Sequence, residues 1–199
     1  MLNIEECIKT KSELKEWINY ESQKYGGKSL IRDIFCVSEG DVLRKHQIIL
    51  RKTEYFTNTN NKVLGLLYKI RLRRIQNKYG LHIPLNTCGK GLHIMHLGPI
   101  LINGNAIVGK DCTFHINTAL VAGGTDDYAP TLGNGIVVGI GAVILGNTHI
   151  PNYVAIGANA VVNKNIDEEN IAVAGVPAGK ISNNGSLEWN KKAKNQNFE

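Results

Sequence analysis

Bulky apolar residues recur at every sixth position in the second half of the chain. The positions are Ile102, Val108, Phe114, Leu120, Leu132, Val138, Ile144, Ile150, Ile156 and Val162. Agreement by chance at all of them is below about one in a thousand. A strand has a period of about two residues and a helix about 3.6, so neither explains this spacing. Stacked coils of three flat-sided hexapeptides do, because each sixth side chain then points into a triangular prism.

Small residues and glycines support the same solenoid. Small side chains occupy a second set of positions in the repeat: Ala106, Cys112, Thr118, Ala142, Thr148 and Ala160. Glycine follows several anchors, where the chain must turn tightly. The repeat predicts a mainly β fold, a left-handed parallel β-helix over residues 81–181, with the clearest repeats between 92 and 166. Its handedness is inferred from the repeat, since parallel crossovers are otherwise right-handed.

The first eighty residues have a different periodicity. Apolar residues at three- and four-residue spacing predict helices over 2–22, 28–35, 42–55 and 62–79. In the last of these helices, the apolar stripe is expected on one side and the arginines on the other; the stripe comprises Val63, Leu66, Leu67, Ile70 and Ile75. We therefore expect a small α-helical domain over 1–80, the β-helix over 81–181 and a loosely ordered tail over 182–199.

Composition and charge exclude several classes of protein. Much of the net charge of +6 lies in segment 62–78, where a solvated helix face is favoured over an anionic membrane surface or an acidic substrate. No nucleic-acid motif accompanies it, so no nucleic-acid partner is expected. No apolar run reaches the roughly 18 residues of a membrane span, and no signal peptide is recognisable. Four scattered cysteines indicate reduced thiols and no metal site. A cytoplasmic location is expected.

The repeat is interrupted once, between Leu120 and Leu132. Residues 121–130 form a polar, glycine-containing stretch that fits a loop extruded from the prism. Loops projecting from a rigid scaffold often carry functional sites.

Five segments carry a resemblance to a known family. They are GLHIMHLG at 91–98, AGGT at 122–125, VGIGAVILG at 138–146, IGANAVV at 156–162 and AGVPA at 174–178. Residues 80–181 resemble the serine acetyltransferase branch of the hexapeptide-repeat acyltransferases. The short helical part and the first segment resemble the surface-polysaccharide variants of that branch more closely. The resemblance implies acyl transfer from acetyl-CoA, without a metal.

The same resemblance implies that His96 is the general base that deprotonates the acceptor hydroxyl. The alternative is a histidine replacing an apolar anchor inside the coil, because position 96 precedes 102 by one repeat. His115 follows anchor Phe114 at a corner and points outward. It is either a second catalytic residue or an exposed polar corner residue.

Two departures from the serine enzymes put recognition of L-serine in doubt more than acyl transfer. Leu81 stands where those enzymes have the aspartate that orients the base, and Ala129 stands where they have a second histidine. The loop is also shorter. Asp126, Asp127 or a backbone carbonyl are the candidate orienting groups.

By position, the predicted cofactor contacts are Gly124, Ile140 and Ala158, with Lys180 reaching a phosphate of CoA. Asp126, Asp127 and Tyr128 are candidates for binding acceptor hydroxyls. A loop cap or solvated turn is an equally open alternative for each of these three residues.

Three functions remain open on the sequence. The first is an acetyl-CoA-dependent O-acetyltransferase acting on a sugar hydroxyl in surface-polysaccharide synthesis. The second is a serine O-acetyltransferase of cysteine biosynthesis, and the third is a non-catalytic β-helix scaffold. A prism with flat faces also predicts a homotrimer, with dimerisation of trimers through the helices left open.

Overall fold

The computed structural model describes residues 7–27, 35–36, 38–124 and 127–188. Within these ranges three helices precede the strands: α1 (Lys11–Gln23), α2 (Glu39–Asn58) and α3 (Lys62–Tyr79). Short strands follow: β1 (Leu81–His82), β2 (His93–Ile94), β3 (Ile100–Ile102), β4 (Ile107–Val108), β5 (Thr113–Phe114), β6 (Thr118–Val121), β7 (Thr131–Leu132), β8 (Val137–Val138), β9 (Val143–Leu145), β10 (His149–Ile150), β11 (Ala155–Ile156), β12 (Val161–Val162), β13 (Ala172–Ala174) and β14 (Gly179–Ser182).

The strands build the three faces of a prism. Sheet I contains β1, β3, β6, β9 and β12; sheet II contains β4, β7 and β10; sheet III contains β2, β5, β8, β11, β13 and β14. Pairing between coils is parallel, with Phe114 opposite Val138 and Leu120 opposite Ile144. Only β13 and β14 pair antiparallel among the described strands. The fold is the predicted left-handed parallel β-helix.

The six-residue anchors form the core of the prism. Every anchor from Ile102 to Val162 is at most 2 % exposed, and the small residues of the repeat are buried beside them. The coils begin earlier than residue 92, because Leu81 on β1 is already buried opposite Ile100. The prediction of an inward row at six-residue spacing is confirmed.

The helices differ from the prediction at their ends. A helix over 2–22 is wrong in its start, because the Thr10 side chain caps α1 together with Glu13 and residues 7–10 are not helical. Ser38 and Asp41 cap α2 in the same way, so that helix begins at Glu39 rather than at 42. Most of the predicted helix over 28–35 lies outside the described residues.

Helix α3 matches its predicted range, but its apolar stripe is not the face that packs on the protein. The apolar stripe assigned to it is largely exposed, with Val63 and Leu66 facing away from the protein. The buried face contains Gly65 and Leu72 instead. Gly65 packs on α2, where a Cβ would make an ordinary van der Waals contact of 3.7 Å with the Phe56 carbonyl oxygen.

A buried guanidinium joins the helices to the first coil of the β-helix. Arg51 on α2 donates hydrogen bonds to Glu21 at 2.7 Å and to Glu54 at 2.9 Å. The same side chain donates to the carbonyl oxygens of Cys88 at 3.0 Å and Gly89 at 2.8 Å. Burial alone would lower the pKa of Arg51, but the two carboxylates raise it above its usual range. The arginine therefore stays charged in the interior.

The two carboxylates are also held by the β-helix. The backbone N–H of Gly91 donates to Glu21 at 3.0 Å, and that of Asn86 donates to Glu54 at 2.9 Å. The Gln47 side-chain amide donates to the Leu92 carbonyl oxygen at 2.9 Å. These bonds fix α1 and α2 against residues 86–92.

No described helix is long and apolar enough to cross a membrane.

Replacing Arg51 by methionine is expected to lower the free energy of unfolding by about 3–5 kcal/mol, because Glu21 and Glu54 would keep buried charges without a counter-charge. Urea unfolding followed by circular dichroism measures this loss. The matched control is Arg73→Met on the exposed surface of α3, expected to change stability by less than about 0.5 kcal/mol. A loss below about 1 kcal/mol for Arg51→Met would contradict the conclusion that Arg51 holds the helices against the first coil.

Candidate active site

The candidate site lies on the edge where the chain passes from sheet III to sheet I. This histidine edge comprises the corners at 95–99, 115–117, 139–142 and 157–160. Its first corner is longer than the others, because anchors Ile94 and Ile102 are eight residues apart whereas Phe114 and Leu120 are six apart. The additional two residues push the corner out of the prism.

His96 lies in this extended corner. Ile94 takes the inward position and stacks on Phe114, so His96 is not an anchor inside the coil. The His96 side chain is 58 % exposed. The structure therefore excludes the interior alternative and leaves the imidazole accessible to a substrate.

A carboxylate from the helical domain contacts His96. One oxygen of Glu39 lies 3.4 Å from His96 Nδ1, and the other accepts a hydrogen bond from the backbone N–H of Leu97. Glu39 is the first residue of α2, where the helix dipole favours a negative charge. A carboxylate at Nδ1 holds the proton there and leaves Nε2 free to accept another.

Sequence reasoning missed Glu39 as a partner of His96. Leu81 is buried in the core as its type requires, and Asp127 is exposed, with its carbonyl oxygen bonded to Asn105 at 3.0 Å. Asp126 lies outside the described residues. Helix α2 was predicted to begin at residue 42, so Glu39 was not placed in its first turn. Nothing in the sequence indicated that this turn meets corner 95–99.

His115 lies one coil further along the same edge. Its ring centroid is 6.4 Å from that of His96, and the side chain is half-buried. Burial and the neighbouring His96 lower the pKa of His115. The structure thus brings the two predicted histidines together.

His93 supports the site from sheet III. Its ring packs on Tyr25 of the helical domain with a centroid distance of 5.4 Å. Burial, with Lys24 and His115 nearby, lowers the pKa of His93 from 6.5 to about 4. The Tyr25 hydroxyl in turn bonds both backbone groups of Ile94, at 2.9 and 3.2 Å. His93 is a neutral packing residue beneath the edge.

Two of the predicted cofactor residues lie on the histidine edge. Ile140 and Ala158 are exposed in successive corners, and the N–H of Asn159 donates to the Ile140 carbonyl oxygen at 2.8 Å. Ile116 precedes them in the column, since its carbonyl oxygen accepts from Gly141 at 3.1 Å. A column of apolar residues therefore runs along the edge from the histidines.

The other predicted residues lie elsewhere. Gly124, with φ +89°, Asp127 and Tyr128 are exposed on the edge between sheets I and II, here called the loop edge. Lys180 lies on β14, where its ammonium pairs with Glu168. The predicted site residues of a single chain therefore lie on different parts of the prism.

No group of three or more His, Cys, Asp or Glu side chains suited to a metal ion occurs in the part of the chain that the structure describes. The prism and its outward histidine corner are the features expected from the resemblance to the hexapeptide-repeat acyltransferases.

The chain belongs to the serine acetyltransferase family. It is 38 % identical over 174 residues to serine acetyltransferase of Synechococcus elongatus, covering 79 % of this chain and 70 % of that protein. Identity to the enzyme of Buchnera aphidicola (from Acyrthosiphon pisum) is 32 % over 152 residues, covering 73 % of this chain and 53 % of that protein. The chain thus spans between about half and seven tenths of these relatives. No protein-family model matches it.

Solved structures share the fold. Serine acetyltransferase from Brucella abortus superposes with a TM-score of 0.65 at 20 % identity, covering 88 % of this chain and 72 % of that one. The Neisseria gonorrhoeae enzyme gives the same TM-score and identity, with 89 % and 69 % covered.

Stability is expected to fall as pH decreases from about 6.5 towards 4, partly through His93. Its pKa is about 4 in the folded protein, against 6.5 as the reference, so the unfolded chain binds the proton more readily in this window. Its share of the loss is roughly 2 kcal/mol at about pH 5. Urea unfolding at several pH values should show a shallower decline for His93→Gln. Replacing the exposed His149 by Gln should leave the decline unchanged, and an equal slope in all three proteins would contradict the burial of His93.

Proposed function

We propose that the protein is an acetyl-CoA-dependent O-acetyltransferase whose acceptor is the hydroxyl of L-serine. The placement of His96 carries this proposal: an exposed imidazole with a carboxylate 3.4 Å from Nδ1 can act as a base through Nε2. Its position within a chain 38 % identical to a serine acetyltransferase supports both the donor and the acceptor.

The proposed reaction is direct transfer within a ternary complex. Nε2 of His96 takes the proton of the acceptor hydroxyl while that oxygen attacks the thioester carbonyl carbon of acetyl-CoA. The tetrahedral intermediate then collapses, the carbon–sulfur bond breaks, and the imidazolium returns its proton to the departing CoA thiolate. Glu39 stabilises the imidazolium and fixes the ring orientation.

An acyl-enzyme is not part of this proposal. Met95 and Leu97 flank His96, so no serine or cysteine adjoins it in the chain. Cys112 is buried at a small inward position, and burial raises its pKa to about 12. A buried thiol of that pKa is a poor nucleophile at neutral pH.

We further propose that the complete site forms between subunits of a homotrimer. Gly124, Asp127 and Tyr128 lie on the loop edge, whereas His96 lies on the histidine edge of the same prism. A closed threefold ring would bring the loop edge of one copy towards the histidine edge of the next. A backbone N–H of Gly123 or Gly124 would then serve the developing oxyanion, and Ile140 and Ala158 would line the path of CoA.

A sugar hydroxyl, as in surface-polysaccharide synthesis, is the second candidate acceptor. Two residues favour it: Leu81 and Ala129 are buried apolar side chains at the positions where the serine enzymes carry an aspartate and a histidine. A non-catalytic scaffold is less well supported, because it gives no role to the carboxylate that holds His96.

Release of CoA thiol from acetyl-CoA in the presence of L-serine tests this proposal. We expect serine-dependent release by the purified protein and a loss of about 10²- to 10⁴-fold in His96→Ala, because the base is removed. The matched control is His149→Ala, an exposed histidine on sheet II, which should keep full activity.

Other results would redirect the assignment. Turnover with sugars or nucleotide sugars, but not with serine, would assign a sugar as the acceptor and leave His96 as the proposed base. Failure to bind CoA in calorimetry would contradict acetyl transfer altogether and leave the scaffold.

A further inference from the structure

All the charged side chains of helix α3 are positive. Its positive residues are Lys62, Lys69, Arg71, Arg73, Arg74 and Lys78, and it contains no aspartate or glutamate. None of the six forms an ion pair within the described residues. Such a helix attracts anions, and the candidate active site does not use it.

An apolar stripe runs along the same helix on its outer side. Val63, Leu66, Leu67 and Ile70 follow three- and four-residue spacing and are 42 to 79 % exposed. The opposite face is buried through Gly65 and Leu72, so the stripe points away from the protein. Four neighbouring exposed aliphatic side chains on one face are unusual for a surface in contact with water alone.

The cations border this stripe. At about 100° per residue, Lys62, Lys69 and Arg73 fall on one side, and Arg71 and Lys78 on the other. Arg74 continues the line of the stripe one turn beyond Ile70. A central apolar strip with cations along both sides is typical of helices that lie in the plane of a membrane interface.

A groove beside α3 extends the surface. It has a volume of about 870 Å³ and lies between α2 and α3, with Val42, Ile49 and Ile75 among its apolar walls. Cations from both helices line it, including Lys45 and Lys52, and its described lining contains no carboxylate. The groove could receive the phosphate and part of the acyl chain of a lipid.

We propose that α3 docks the protein on an anionic lipid surface, with the apolar stripe inserted at the level of the headgroups. A second copy is a poor partner for this face, because an isologous contact would bring six cations against six. A nucleic acid would neutralise the cations but leave the stripe without an apolar partner. Of these three partners, only an anionic bilayer matches both the cations and the apolar stripe. This inference does not depend on the proposed acetyl transfer.

Flotation of the full chain with vesicles tests the inference. We expect binding to vesicles of phosphatidylcholine mixed with phosphatidylglycerol, much weaker binding to phosphatidylcholine alone, and a decrease at high salt. Leu66→Glu with Ile70→Glu should lower partitioning at least about tenfold, and so should Lys69→Glu with Arg73→Glu. The matched controls are Ile181→Glu and Lys164→Glu, exposed residues of the β-helix, which should bind as the parent does.

All these side chains are exposed, so we expect the variants to remain folded. Circular dichroism checks this. Equal binding to neutral vesicles, or no binding to anionic ones, would overturn the inference. Loss of binding with the charge variants but not with the Leu66 and Ile70 variants would overturn insertion of the stripe. A lower assembly mass for Leu66→Glu in light scattering, without lipid binding by the parent, would assign the face to contacts between copies.

Discussion

A guanidinium buried between the helices and the first coil determines how the two parts of this protein fit together. Arg51 is inaccessible to solvent, and it links carboxylates on α1 and α2 to two backbone carbonyl oxygens of the β-helix. A charge can be buried at acceptable cost only when its hydrogen-bonding groups are satisfied. The partners of Arg51 thus leave α2 little freedom to shift or rotate relative to residues 86–92.

The consequence for the site lies at the other end of α2. Glu39 is twelve residues before Arg51 in the same helix, a distance of about 18 Å at about 1.5 Å per residue. Because the helix is rigid, fixing Arg51 also fixes the direction in which its first turn points. That turn meets corner 95–99, where Glu39 contacts both His96 and the backbone of Leu97. The carboxylate that contacts His96 therefore comes from outside the hexapeptide coils.

The sequence was sufficient to predict the β-helix, but nothing in it pointed to the carboxylate that contacts His96. Anchors such as Phe114 follow a strict period, and the repeat alone decides which side chains point inward. The contact between Glu39 and His96 depends on how the helices pack on the prism. That packing rests on buried polar contacts, which follow no sequence period. The spacing of apolar residues in α3 likewise does not reveal which face packs on the protein. The residues of α3 that face the protein include Gly65 and Leu72, whereas most of the apolar stripe is exposed.

A double-mutant cycle on Glu39 and His96 tests the central claim most directly, using kcat with the acceptor that supports turnover. Glu39→Gln keeps an acceptor for the Leu97 N–H but removes the charge, so we expect kcat to fall about tenfold or more while His96 is present. In the His96→Asn background the same substitution should have no further effect, because the two side chains act as a unit. Glu16→Gln, at an exposed glutamate paired with Lys90, is the control. An equal loss in both backgrounds, or a change within about twofold for Glu39→Gln alone, would contradict the account.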